Sequence, residues 1–122
     1  MSKTVLVVDD SEVVRQQVSS ALGAAGYDVV EAADGMAGAE AIESRDDLAA
    51  VICDINMPRL NGIEMLTRVK ADPKHTALPV VMLTTEGQPA LIRRAKEVGA
   101  KGWIVKPFDP ALLVSAVRRL AG

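Results

Sequence analysis

Asp9 and Asp10 follow the apolar run 4–8, Asp54 follows the run 49–53, and Lys106-Pro107 follows the run 103–105. Each charged group stands where a buried strand would stop. In an open parallel sheet all strand C-termini share one edge, and ligands bind at that edge. Three carboxylates and an ammonium on one rim point to a divalent cation and a phosphoryl group. Two like charges ~4 Å apart repel by about 4 kcal/mol at an effective dielectric of ~20. A hard cation relieves that crowding, and an all-oxygen donor set suits magnesium. Taken alone, the Asp9-Asp10 pair reads more readily as solvated loop acids, one of them capping a helix. Asp54 adds a carboxylate able to act as a nucleophile and form an acyl phosphate. The segment from Ile55 to Gly62 that follows it carries Pro58 and Gly62 and suits a site loop. Lys106 can pair first with the carboxylates and then with phosphate oxygens, and its bond to Pro107 is a candidate cis peptide. The hydroxyls of Thr84 and Thr85, after a fourth apolar run, are placed to reach a phosphate oxygen.

These residues need strands to carry them. Five short apolar runs, over 4–8, 28–32, 50–53, 80–83 and 102–105, alternate with five segments of helical period. The first, third and fourth are almost continuously apolar, as strands covered on both faces must be. Helix one is predicted over 12–25, with Ser11 as cap, Gly26 as stop and the stripe Val14, Val18, Ala21, Ala25. Helix two covers 35–44, and helix three covers 63–71, burying Leu66 and Val69. Helix four covers 89–98, with the stripe Leu91, Ala95, Val98 and with Ile92 left outside it, exposed beside Arg93 and Lys96. Helix five begins at Pro110 behind Asp109, with the stripe Leu113, Ala116, Val117, Leu120. Strict alternation gives an α/β fold with a parallel sheet, right-handed crossovers and helices on both faces. The pattern alone leaves the strand order open.

A chain of 122 residues fits one domain with one core, 1–122, and no attached output domain is expected. Net charge is −2, which gives no basic excess for nucleic-acid binding. The single cysteine, Cys53, excludes an internal disulfide and fits a reducing compartment. No apolar run approaches the roughly 20 residues of a bilayer span, and no signal peptide precedes the first strand. A cytoplasmic monomer bound to neither membrane nor nucleic acid is expected. His75, in the polar stretch 72–77, reads as a surface residue, and Met57, Met65 and Met82 read as packing.

With these residues in place, the chain resembles the receiver domain of two-component response regulators, most closely the single-domain CheY-type proteins. The resemblance covers essentially the whole chain. It rests on Val7-Val-Asp-Asp-Ser11, Cys53-Asp-Ile-Asn-Met-Pro58, Asn61-Gly62, Leu83-Thr-Thr85, Gly99-Ala-Lys-Gly102 and Val105-Lys-Pro-Phe108. The intervals match too, 30 positions from Asp54 to Thr84 and 22 from Thr84 to Lys106. The resemblance implies a flavodoxin-like, doubly wound (βα)5 fold with strand order 2-1-3-4-5. It implies Asp54 as phospho-acceptor and Mg2+ held by Asp10, Asp54 and the Asn56 backbone carbonyl, with Asp9 binding through water. It further implies Lys106 on the phosphoryl group, Thr84 as switch hydroxyl and Trp103 at the aromatic switch position. Thr85, Glu86 and Pro107 flank the site and would modulate it. Thr85 is bulkier than the alanine or glycine common there, and Trp103 is bulkier than the usual tyrosine or phenylalanine.

The implied partners are a histidine kinase as phosphodonor and a downstream protein, such as a flagellar motor switch, on the helix four, strand five and helix five face. The chain would then be a switch and not an enzyme, apart from self-catalysed phosphotransfer and dephosphorylation. A phosphate sink without its own output is the nearest alternative. A haloacid-dehalogenase-like phosphohydrolase needs an Asp-x-Asp after strand one, whereas Asp9 is followed directly by Asp10, Ser11 and Glu12. A flavodoxin-like electron carrier needs a hydroxyl- and glycine-rich phosphate loop there, and the same four residues replace it.

Overall fold

Val5, Leu6, Val7 and Val8 have no exposed surface, because the first strand has a helical layer on each of its two faces. The structure, a computed structural model, describes residues 3–85 and 89–121. Glu86 lies outside the described residues. The elements run β1 (Thr4–Val8), α1 (Glu12–Ala24), β2 (Asp28–Ala32), α2 (Gly35–Ser44), β3 (Leu48–Asp54), α3 (Gly62–Lys70), a 3-10 turn (Pro73–His75), β4 (Val80–Thr85), α4 (Pro89–Glu97), β5 (Gly102–Lys106) and α5 (Pro110–Ala121). The strands form one parallel sheet of order β2-β1-β3-β4-β5. This is the flavodoxin-like order, with its reversal beside β1.

Alternate residues of the central strands feed two cores. Leu6, Val8, Val51, Cys53 and Met82 pack with Ala39, Ile42, Met65 and Leu66 from α2 and α3. Val5, Val7, Ile52, Val81 and Leu83 pack with Val18, Leu22, Leu113 and Val117 from α1 and α5. The α1 stripe differs from the predicted one. Leu22 is its second fully buried residue, and Ala25 is the C-cap, followed by Gly26 at φ 96°. A leucine four positions after Val18 lies on the same helix face, so it takes the core position.

Three strands extend past their apolar runs. β3 includes Asp54, β4 includes Thr84 and Thr85, and β5 includes Lys106. Ladder bonds use the backbone, so polar side chains continue a strand wherever the neighbouring strand continues. Asp54 pairs with Leu83 across β3 and β4, and Thr85 pairs with Lys106 across β4 and β5. Asp54, Thr84, Thr85 and Lys106 therefore stand on strand ends rather than on free loops.

Side chains close the starts of α1, α2 and α3. Ser11 Oγ accepts from the Val14 N–H at 3.3 Å, and Asp34 Oδ1 accepts from the Ala37 N–H at 2.8 Å. Asn61 and Glu64 form a reciprocal capping box, both bonds at 2.9 Å. That box holds α3 against the end of β3. A Cβ on Gly62 would fall 2.3 Å from the Asp54 carbonyl oxygen and 2.9 Å from Ile55 Cα. Those are backbone atoms and cannot rotate away. Gly62→Ala is therefore expected to cost about 2 kcal/mol, read as a lower urea midpoint with an unchanged slope. An unchanged midpoint would mean that α3 slides freely on the strand end.

Candidate functional site

Val8 pairs with Cys53 in the β1–β3 ladder, so Asp9 and Asp54 emerge side by side. Asp9 is fully buried, Asp54 is 6% exposed, and Asp10 is exposed to solvent. One carboxylate oxygen from each of the three lies within 4.8 Å of the others. Lys106 arrives from β5. Its Nζ donates to Asp9 Oδ2 at 2.8 Å and lies 3.4 Å from Asp54 Oδ1. The rim therefore brings together Asp9, Asp10, Asp54 and Lys106 from three strands. The Lys106-Pro107 bond is cis.

Burial, then the neighbouring Asp9 charge, pushes the Asp54 carboxyl above the usual carboxylate range. Lys106 and the Asn56 N–H act against that shift. For Lys106, burial works to lower the ammonium, but the hydrogen bond to Asp9 and the charges of Asp54 and Asp9 outweigh it and raise it. Burial, with Asp54 next, pushes the Cys53 thiol up, so it stays a packed thiol beside the site.

Thr84 is buried at the end of β4, one residue past the Leu83 that faces Asp54, and its hydroxyl donates to the Thr85 carbonyl at 3.2 Å. Thr85 is exposed. Trp103 lies opposite Met82 on β5, 43% exposed, with Lys96 Nζ of α4 3.9 Å from its ring centroid. Asn56 and Pro107 are exposed on the rim loops.

Two expectations are corrected. His75 is buried, 6% exposed, and not on the surface. The 3-10 turn behind Asp72 folds it inward, and the Lys70 ammonium fixes that turn by donating to the carbonyls of His75, Thr76 and Leu78. Both His75 ring nitrogens are sealed from solvent without a hydrogen-bond partner among the described residues. Neither can reach a phosphoryl group. His75 lines a cleft of about 450 Å³ with Ile42, Leu48 and Leu78, at the amino end of β3 and β4, away from the acids. The second correction is Ile92, which is half-buried rather than exposed. Met57, Met65 and Met82 are packing residues, as expected.

Sequence reasoning passed over Arg15. Its Nη1 donates to the Asp9 carbonyl at 2.7 Å and its Nε to Glu31 Oε1 at 3.1 Å. No sequence signal marks it, because its site contact is a backbone oxygen.

The sheet order and the acid–lysine rim together define an α/β domain of the phospho-accepting signalling class. The chain belongs to the response regulator receiver domain family, which it matches over residues 5–118. It is 37% identical over 118 residues to the chemotaxis protein CheY1 of Helicobacter pylori, covering 96% of this chain and 95% of that protein. It is 36% identical to a chemotaxis protein CheY homolog of Campylobacter jejuni, covering 96% and 91%. Among solved structures, the chemotaxis response regulator CheY4 of Vibrio cholerae superposes with a TM-score of 0.91 at 39% identity, covering 98% of this chain and 99% of that one. A putative response regulator from Chloroflexus aurantiacus gives 0.93 at 33% identity, covering 99% and 98%. The protein is a phospho-acceptor response regulator. Such domains are signalling proteins, generally bind Mg2+, and imply a histidine kinase partner and a downstream target. The three-acid group could hold a metal ion. Among the described residues no helix is long and apolar enough to cross a membrane.

Proposed function

We propose that Asp54 is the phospho-acceptor and that its phosphorylation resets the face made by α4, β5 and α5. One observation carries the reading: a buried carboxylate stands 3.4 Å from a lysine ammonium, at a sheet edge shared with two further acids. A carboxylate oxygen of Asp54 attacks the phosphorus of a phosphohistidine. The P–O bond forms as the P–N bond breaks, and the imidazole leaves with the electron pair. Lys106, already beside Asp54, accompanies the phosphoryl oxygens. The all-oxygen donor set fits Mg2+, which Asp9, Asp10, Asp54 and the Asn56 backbone carbonyl would hold. Bound there, Mg2+ supplies positive charge against the acids and the phosphoryl oxygens.

After transfer, the Thr84 hydroxyl turns to a phosphoryl oxygen and vacates space beside β5, into which Trp103 swings. Thr85, exposed beside this route, narrows access to Asp54. A phosphoryl group adds charge and strong acceptors at one point and biases packing at another. Val105 of β5 and Leu112 of α5, 38% and 60% exposed, add exposed apolar surface to these elements. The chemotaxis proteins among its relatives make a flagellar motor switch the first downstream partner to test, with a phosphate sink as the other outcome. The test of the reading is intact mass after acetyl phosphate and Mg2+. The wild type is expected to gain one phosphoryl group, and an unchanged mass would reject the acceptor site.

Lys96 holds the indole in its outward position. An exposed cation–π contact is worth about 0.5–1 kcal/mol, enough to move a two-state ratio severalfold. Lys96→Met is expected to shift Trp103 emission toward the spectrum of the beryllofluoride-treated wild type. The chain has a single tryptophan, so the signal is its own. Identical Lys96→Met and wild-type spectra, before and after beryllofluoride, would remove the contact from the switch.

A further inference from the structure

We propose that Arg15 is a positioning residue for the acid cluster, fixing the Asp9–Asp10 peptide and through it the direction in which Asp10 meets a divalent cation. The inference rests on the reading that this cluster binds Mg2+. Every polar group of Asp9 is committed. Its N–H donates to the Ala32 carbonyl at 3.1 Å, Oδ1 accepts from the Ser11 N–H at 2.9 Å, and Oδ2 accepts from Lys106 at 2.8 Å. Its carbonyl lies past the end of β1, where the ladder gives it no strand partner. Arg15 Nη1 takes that carbonyl at 2.7 Å. The peptide unit is planar, so fixing the Asp9 carbonyl also fixes the Asp10 N–H and the start of the Asp10 side chain. Asp10 is the exposed acid of the three and has the most freedom to lose.

The guanidinium is itself braced. Its Nε donates to Glu31 Oε1 at 3.1 Å, and Ser19 Oγ donates to Glu31 Oε2 at 3.2 Å. The Arg15 side chain is 16% exposed. A planar fork can serve a carbonyl and a carboxylate at once, whereas a lysine presents one compact ammonium. α1, β2 and the end of β1 thus meet in a single side chain.

Charge and geometry predict opposite results, which makes the role testable. A bare positive charge beside the acids repels a dication, so deleting it should tighten Mg2+ binding. A positioning bond should do the reverse. The experiment is isothermal titration of the whole chain with Mg2+ alone, without phosphodonor, for wild type, Arg15→Met, Arg15→Lys, Glu31→Gln and Asp10→Asn, with thermal melts as the folding control. Arg15→Met and Arg15→Lys are expected to weaken binding about tenfold, the scale of lost outer-shell support. Glu31→Gln, which keeps the Asp9 bond but loosens its brace, is expected to weaken it less. Equal or tighter Mg2+ affinity in both Arg15 variants overturns the proposal. Arg15→Lys keeps the charge and supplies the answer should Arg15→Met fail to fold. A wild type that takes up no Mg2+ overturns the cation reading as well. That result differs from failure of Arg15 alone, in which wild type binds, Asp10→Asn does not, and the Arg15 variants match wild type.

Discussion

Asp54→Asn is expected to take up no phosphoryl group from acetyl phosphate and Mg2+ and, at neutral pH without metal, to be more stable than wild type. An amide lacks the anionic oxygen that attacks phosphorus. The stability gain follows from the crowding at the rim. Burial and Asp9 raise the Asp54 carboxyl above its ordinary value, so the fold binds this proton more tightly than the unfolded chain does. The resulting contribution to stability is fully present below the unfolded carboxylate value of about 3.9 and is lost as pH rises through the higher folded value. At pH 7 the ionised group is a net cost, which asparagine removes. A gain of about 1 kcal/mol is in scale for relief of a functional site, and it should shrink toward zero as the pH falls to about 4. Urea midpoints of both proteins across that window check the sign. If Asp54→Asn is phosphorylated like wild type, the acceptor is another residue. If it is less stable at pH 7, the Lys106 contact outweighs the crowding.

The rim was legible because the chain writes it plainly: apolar runs that stop at Asp9, Asp54, Thr84 and Lys106 can only be strands ending on a common edge. The order of those strands was not. Pairing is decided by how each crossover packs, and β1 lies between β2 and β3 for reasons no single strand's residues reveal. The resemblance to receiver domains supplied that order, and the sheet has it. Polar residues at a strand's end look like its stop in the sequence, yet Thr85 and Lys106 pair through their backbones and lengthen β4 and β5. The polar neighbours of His75 point it to the surface, but its ring is buried. A capped 3-10 turn hides a side chain that composition would leave in water. Arg15 and Lys96 look like ordinary cations on helix surfaces. Only the fold shows that one meets a carbonyl at the site and the other an indole ring.

Lys106→Met is expected to cost about 3 kcal/mol at pH 7 without metal. The replacement keeps most of the side-chain length and removes the charge. It leaves Asp9, which has no exposed surface, and Asp54, 6% exposed, with no ammonium at 2.8 and 3.4 Å. A buried charge stripped of its partner costs far more than an exposed one. In the wild type the raised ammonium contributes stability that is fully present below the unfolded lysine value of about 10.4. That contribution is lost only as pH rises through the folded value, so the deficit of the variant should hold across the neutral range. Two additions should shrink it. Mg2+ binding to the folded acids stabilises by mass action, and it should rescue Lys106→Met more than wild type because it replaces the one cation that, among the described residues, lies within reach of both carboxylates. Adding Asp54→Asn should also recover part of the loss, since the two sites share one interaction and cannot be additive. Phosphoryl uptake should fall about a hundredfold in rate even at saturating Mg2+, the scale of losing one fixed electrostatic partner of the transferring group. Urea titrations with and without Mg2+, beside intact-mass time courses, measure all of these effects. A Lys106→Met chain as stable as wild type and phosphorylated as fast would reduce Lys106 to a surface charge that happens to lie near Asp9.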